Sequence, residues 1–203
     1  MKLMATGGAA AMLCALVLGY QSSASAEPDV PAPTFTLTDT NGKPHNLADY
    51  KGKYVVLEWL NYGCPYVQTH YGSGNMPTLQ KDWTKKGVVW LSVVSSAPGK
   101  QGHYSPSAMN DMTKKMGGAG TAVLLDPTGQ VGKAYGARTT PHMFVIDPKG
   151  TLLYAGGIDS KPSRKPQEDP EVVNYVTQAL NESMAGKKVS VKKARPYGCD
   201  VKY

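Results

Sequence analysis

Residues 54–70 read YVVLEWLNYGCPYVQTH. The first seven form a nearly continuous apolar run, as expected of a strand buried on both faces. The run ends at Cys64-Pro65, and Pro65 fits the first position of a helix, where its missing N–H costs nothing. A helix is therefore expected from there to about Lys86, interrupted around Gly72-Ser73-Gly74. A cysteine at a helix start faces unpaired backbone N–H groups and the positive end of the helix dipole. Both favour thiolate and lower such a cysteine from ~8.5 into the range ~3.5–7.5. Cys64 is thus read as a reactive thiol rather than an inert core cysteine. Glu58 lies inside the apolar run, six residues before Cys64. A covered central strand predicts burial of this carboxyl and a raised pKa suited to acid–base work. The alternative is that it points to solvent or pairs with a lysine.

Working outward, PAPTFTLTDTNGKPHNLADYKGK alternates apolar and polar residues and turns at Asn41-Gly42, a strong hairpin signal. Further strands are expected at 88–96 and 121–126, and at 142–147 and 151–158 as a hairpin closed by PKG. A helical stretch is expected near 105–116, a short helical turn at QVGKAYGA, and a helix over 170–186 with Pro170 near its start and Gly186 past its end. The apolar face of that last helix would be Val172, Val176, Ala179, Leu180 and Met184. Residues 159–170 are a Pro-rich surface loop, too short to separate domains. This order of elements is an α/β sandwich around a central mixed sheet flanked by helices.

The N-terminus reads as a secretory signal peptide over 1–26: basic Lys2, a short apolar segment, then Ala24-Ser25-Ala26. The apolar part is short for a membrane span, which needs ~20 residues, and no other segment comes close. A periplasmic or secreted location follows. The domain proper would be 27–186, with 187–203 a C-terminal tail. Cleavage removes Cys14 and leaves Cys64 and Cys199 in a compartment where disulfides persist. A Cys64–Cys199 bond, permanent or cycling, within one chain or between two, is the pairing to test. From Lys187 to Cys199 the tail can reach roughly 40 Å at ~3.3 Å per residue, ample within one domain. The net charge of +7 is densest in the tail, without interleaved aromatics, and reads as a solvated tail rather than a nucleic-acid groove.

A buried strand running into Cys-Pro at a helix start, with TTPHMFVID some seventy-five residues later, resembles the thioredoxin-like fold. The N-terminal region is similar to its peroxiredoxin-like branch, the AhpC/TSA or redoxin type. LEWLNYGCPYVQTHYGSGNM, SSAPGKQG, YGARTTPHMFVID and PYGCDVKY resemble exported bacterial redoxin proteins over nearly all of the mature chain. The resemblance implies a thiol-based oxidoreductase or antioxidant redoxin. Pro141 would be cis beside the nucleophile, and Thr140 would offer backbone groups to an extended substrate as an added strand. Glu58 would help move protons. Two motifs are broken: Val67 replaces the second thiol of C-x-x-C, and Leu57 and Asn61 replace the Pro and Thr of P-x-x-x-T-x-x-C. Asn61 or Arg138 could stand in for part of the peroxide-activating set. Cys199 is the remaining candidate for a resolving thiol. It could equally be a structural staple, with a stabilisation of ~5 kcal/mol in the chain-entropy model.

The expected site is therefore Cys64, Cys199, Glu58 and Pro141 for chemistry, with Thr140, Pro65, Asn61 and Arg138 around the substrate. The expected partners are protein or small-molecule disulfides and thiols, with an unspecified external reductant. No cofactor and no nucleic acid are expected. One alternative is a thiol peroxidase, in which Cys64 becomes sulfenic acid and condenses with Cys199. The other is a copper-binding carrier using Cys64, His70, His142, Met76 and Met143. Against it, His70 lies about 120° around the helix from Cys64 at ~100° per residue. Strand alternation likewise turns His142 away while Met143 faces the site.

Overall fold

The computed structural model describes residues 26–162, 166 and 168–203. The expected signal peptide lies, apart from Ala26, outside these residues. Seven strands form one mixed sheet in the order β2-β1-β5-β4-β3-β7-β8. They are β1 (Thr36–Asp39), β2 (Pro44–Asn46), β3 (Val55–Trp59), β4 (Val89–Val94), β5 (Ala122–Leu125), β7 (His142–Ile146) and β8 (Leu152–Gly156). The central strand β3 runs parallel to β4 and antiparallel to β7. All five of its residues are buried, as the apolar run predicts. The β1–β2 hairpin turns with Gly42 at positive φ, a conformation that Asn-Gly turns supply at little steric cost.

Strand alternation sorts the core into two layers. Val56 of β3 and Met143 and Val145 of β7 share one cluster with Cys64, Met76 and Trp90. Leu57, Trp59 and Phe144 share the other with Leu91, Leu124 and Tyr135. Helices α1 (Pro65–Gly72), α2 (Asn75–Lys85), α3 (Pro106–Lys115) and α5 (Tyr175–Met184) contribute to the first layer, and α4 (Gln130–Tyr135) to the second. The break between α1 and α2 falls at Ser73 and Gly74, and Gly74 has the positive φ that ends one helix and starts the next.

Helix α5 departs from expectation. It begins at Tyr175, not near Pro170, because the Asn174 side chain caps it by accepting from Thr177 N–H at 2.8 Å. The chain instead turns after Asp169, where Val172 N–H donates to Asp169 O, and then runs beside 158–160: Ser160 N–H donates to Val173 O, and Tyr175 N–H to Ile158 O. Val172 thus precedes the helix, and Met184 is exposed, while Val176, Ala179 and Leu180 form the buried face. Strand β8 stops at Gly156, where Ala194 of the tail comes too close for a side chain. A separate two-stranded ribbon joins β6 (Thr139–Thr140) to β9 (Cys199–Asp200), antiparallel. Among the described residues no helix is long and apolar enough to cross a membrane.

Candidate functional site

Cys64 caps α1 from an extended conformation, and Pro65 holds the first helical position. Its carbonyl accepts the first helical bond, from Gln68 N–H at 2.9 Å, while its own N–H donates to Asn61 O at 2.9 Å. Asn61 is buried in this turn. Its Oδ1 accepts from Gly63 N–H at 2.9 Å, so it shapes the loop that carries Cys64. The Thr140-Pro141 bond is cis, and the Cys64 thiol donates to Thr140 O at 3.1 Å.

Cys199 sits across from Cys64. Through the β6–β9 ribbon it is the register partner of Thr140, and its N–H points at Cys64 Sγ, 3.4 Å away. Burial acts to raise the Cys64 pKa. Hydrogen bonds from the Cys199 thiol, Val67 N–H and Cys199 N–H outweigh it, and the net shift is downward. Cys199 moves the other way, pushed up to about 11 by burial and by its hydrogen bond to, and repulsion from, Cys64. The two thiols are thus unequal. The thiolate form is favoured at Cys64 relative to an ordinary cysteine, and the protonated form at Cys199.

Glu58 is fully buried. Its Oε1 accepts from Tyr71 Oη at 2.9 Å, and its Oε2 from Gln80 Nε2, Trp90 Nε1 and Ser92 Oγ at 2.8–3.1 Å. Burial raises its pKa, and these hydrogen bonds only partly oppose the rise. Its bonds reach α1 through Tyr71 but do not include Cys64.

Sequence reasoning missed a polar cluster that ties the tail down. His70 Nδ1 faces Asn75 Nδ2 at 2.8 Å, and His70 Nε2 faces Tyr197 Oη at 2.9 Å. Tyr197 Oη donates to Asp159 Oδ1 at 2.5 Å. Burial lowers His70 to about 4 and raises Asp159 to about 6. His142 lies in the wall away from Cys64, stacked near Phe144, with Nδ1 accepting from Arg138 N–H at 3.3 Å. Burial and the Arg138 charge lower it to about 4. The Arg138 side chain lines a cavity of about 490 Å³ with His142, Phe144 and Arg195, and it makes no hydrogen bond to Cys64. Met143 and Met76 pack in the cluster that contains Cys64. Among the described residues no group of three or more His, Cys, Asp and Glu could hold a metal ion. Only proximity in the fold reveals the Tyr197 cluster, because His70, Asp159 and Tyr197 are far apart in sequence and share no motif.

The Asp159 shift carries a stability prediction. Its folded pKa lies above its ordinary value of 3.8. Its contribution is therefore fully present below about 3.8 and lost as pH rises through about 6. Asp159→Asn keeps an acceptor for Tyr197 but cannot titrate. Relative to wild type, it should gain about 2 kcal/mol between pH 4 and pH 7, discounted for partial solvent screening. Urea unfolding at the two pH values checks this, and an unchanged difference would refute it.

The AhpC/TSA family model matches residues 28–155. The thiol-disulfide oxidoreductase ResA of Bacillus subtilis is 32% identical over 129 residues, covering 60% of this chain and 63% of that protein. The chain thus spans less than two thirds of the length of this relative. An uncharacterized conserved protein from Geobacillus kaustophilus superposes with a TM-score of 0.74 at 26% identity, covering 85% of this chain and 90% of the other. The thioredoxin domain of a thiol-disulfide oxidoreductase from Bacteroides vulgatus shares the fold, with a TM-score of 0.52 at 21% identity over 64% of this chain and 89% of that one.

Proposed function

Because the chain belongs to the AhpC/TSA family, we propose that it is a thiol–disulfide oxidoreductase whose nucleophile is Cys64 and whose resolving thiol is Cys199. The observation that carries this reading is the placement of Cys199 N–H 3.4 Å from Cys64 Sγ. The opposite pKa shifts support the division of labour.

The Cys64 thiolate attacks one sulfur of a substrate disulfide. A mixed disulfide forms, and the other substrate sulfur leaves as thiolate. The Cys64 charge is then gone, and with it two of the three leading causes that hold the Cys199 pKa high. Cys199 therefore loses its proton more readily once the first step is complete. Its thiolate attacks Cys64 Sγ and releases the second substrate thiolate. The protein ends as a Cys64–Cys199 disulfide, and two electrons have passed to the substrate. An external thiol reductant reverses the sequence. Thr140 and Pro141 flank the reacting sulfur, Pro65 and Asn61 fix the turn beneath it, and Arg138 stands at the other end of the Thr139-Thr140 segment. Glu58 has a supporting role, as a buried carboxyl in which the protonated form is favoured and which Tyr71 links to the helix begun by Cys64.

Export to the periplasm or beyond belongs to the same proposal. It is supported by Lys2, the apolar segment and Ala24-Ser25-Ala26. Mass spectrometry of the oxidised protein tests the cycle. One intramolecular Cys64–Cys199 disulfide per molecule, released by thiol reductant, is expected; two free thiols or intermolecular links would refute it. Rapid Cys64-dependent consumption of hydrogen peroxide would favour the peroxidase reading instead.

A further inference from the structure

The edge of β6 beside Cys64 is occupied by the chain itself. Thr139 pairs with Asp200 and Thr140 with Cys199, antiparallel. Further bonds hold the residues after Asp200. Val201 N–H donates to Arg138 O at 3.0 Å, Ala97 N–H donates to Lys202 O at 2.8 Å, and Tyr203 Oη donates to Ala137 O at 2.7 Å. Two further features fit the tail to this place. Gly198 has φ of +138°, and a Cβ there would drive into Thr140 O, so the close approach requires glycine. Gly129 and Gly132 leave the space that the Tyr203 ring fills. Tyr197 anchors the start of the strap through His70 and Asp159. With the strap in place Cys64 is fully buried.

We propose that residues 196–203 are a built-in strand that competes with extended polypeptides for the edge of β6. An extended polypeptide disulfide must add at that edge to bring its sulfur in line with Cys64, so it must wait for the strap to lift. A small disulfide needs no strand pairing and reaches the buried sulfur through a smaller local displacement beside Cys199, so it is much less affected. The strap therefore selects substrates by size, and Gly198 and Tyr197 are positioning residues that set how firmly it is seated. The inference rests on Cys64 being the reacting thiol.

Two probes with the same leaving group separate the effects. One is a mixed disulfide of thionitrobenzoate with 2-mercaptoethanol. The other is an unstructured peptide of about twenty residues whose single cysteine is capped with thionitrobenzoate. Each reacts with the reduced full-length protein as the Cys64 thiolate takes the probe sulfur and thionitrobenzoate leaves. In the wild type, the rate with the peptide should level off with concentration at the strap-opening rate, while the rate with the small probe stays linear. Gly198→Ala should raise the peptide-to-small rate ratio at least ~10-fold, as expected if the open form is about a tenth or less of the wild-type population. It should also abolish the plateau. Tyr197→Phe, which removes one hydroxyl and keeps the ring, should move both in the same direction and serves if Gly198→Ala does not fold. An unchanged ratio with linear peptide kinetics in all three proteins would overturn the strap and leave the Cys64 chemistry standing. If Cys64 reacts with neither probe, the proposed function falls and the strap with it.

Discussion

With Cys64 replaced by serine, exchange with any disulfide is expected to fall by at least about 10³-fold, to the level of solution background. The hydroxyl is not ionised at neutral pH and cannot form a disulfide. Cys199 does not substitute efficiently, because burial, the largest cause of its raised pKa, remains when Cys64 is gone. Cys199→Ser should behave differently. The first attack remains, but the mixed disulfide on Cys64 has no intramolecular exit, so it accumulates to nearly one per molecule while turnover with an external thiol slows. Intact-mass measurement after brief mixing with a small disulfide distinguishes the two variants. Rapid release of the mixed disulfide from Cys199→Ser would remove Cys199 from the resolving role.

Glu58→Ala is expected to be the most damaging substitution for stability, at about 3–5 kcal/mol. The cost is larger than that of a lost core methylene group. Trp90 Nε1, Gln80 Nε2 and Ser92 Oγ all donate to Glu58 Oε2; without it Trp90 and Ser92 lose their acceptor and Gln80 Nε2 keeps only Tyr71 Oη. Glu58→Gln should cost only about 1 kcal/mol, because the amide oxygen can take those three bonds while its NH₂ donates to Tyr71 Oη. The pair also separates structure from chemistry. If the Glu58 proton contributes to turnover, Glu58→Gln will slow exchange and alter its pH profile while remaining folded. Denaturant unfolding of both variants, with exchange rates across pH for the glutamine variant, gives the answer. Equal destabilisation by the two substitutions would contradict the hydrogen-bond account.

The centre of this molecule was readable because its signals are local. A five-residue strand buried on both faces, a cysteine at its exit and a proline at the next helix start are each stated by a few adjacent letters. The depth of Glu58 followed from the same run. The Asn41-Gly42 hairpin and the Gly74 break were equally explicit. The start of α5 was misplaced because Pro170 is a plausible helix-opening residue, whereas Asn174 supplies the cap and the intervening residues bond to the chain around Ile158 and Ser160. The β6–β9 ribbon is shorter than any useful period, two residues against two. Its existence depends on Gly198, on the ring of Tyr203 and on Tyr197 meeting His70 and Asp159. None of these is foreshadowed by its neighbours in sequence. The cysteine count pointed to Cys199 as a partner, but its place opposite Thr140 is a property of the folded chain.

The two sulfurs stand 135 positions apart, and the second follows the whole seven-stranded sheet along the chain. Synthesis proceeds from the N-terminus, so the sheet and its first cysteine can form while the proposed partner thiol is still to come. A chain cut just before Cys199 would keep β1 through β8 and nearly all of the buried core, yet it would lack the group that closes the cycle. Closing the proposed cycle thus requires that synthesis has passed Cys199, and chains cut before it, however well folded, would stall after one reaction.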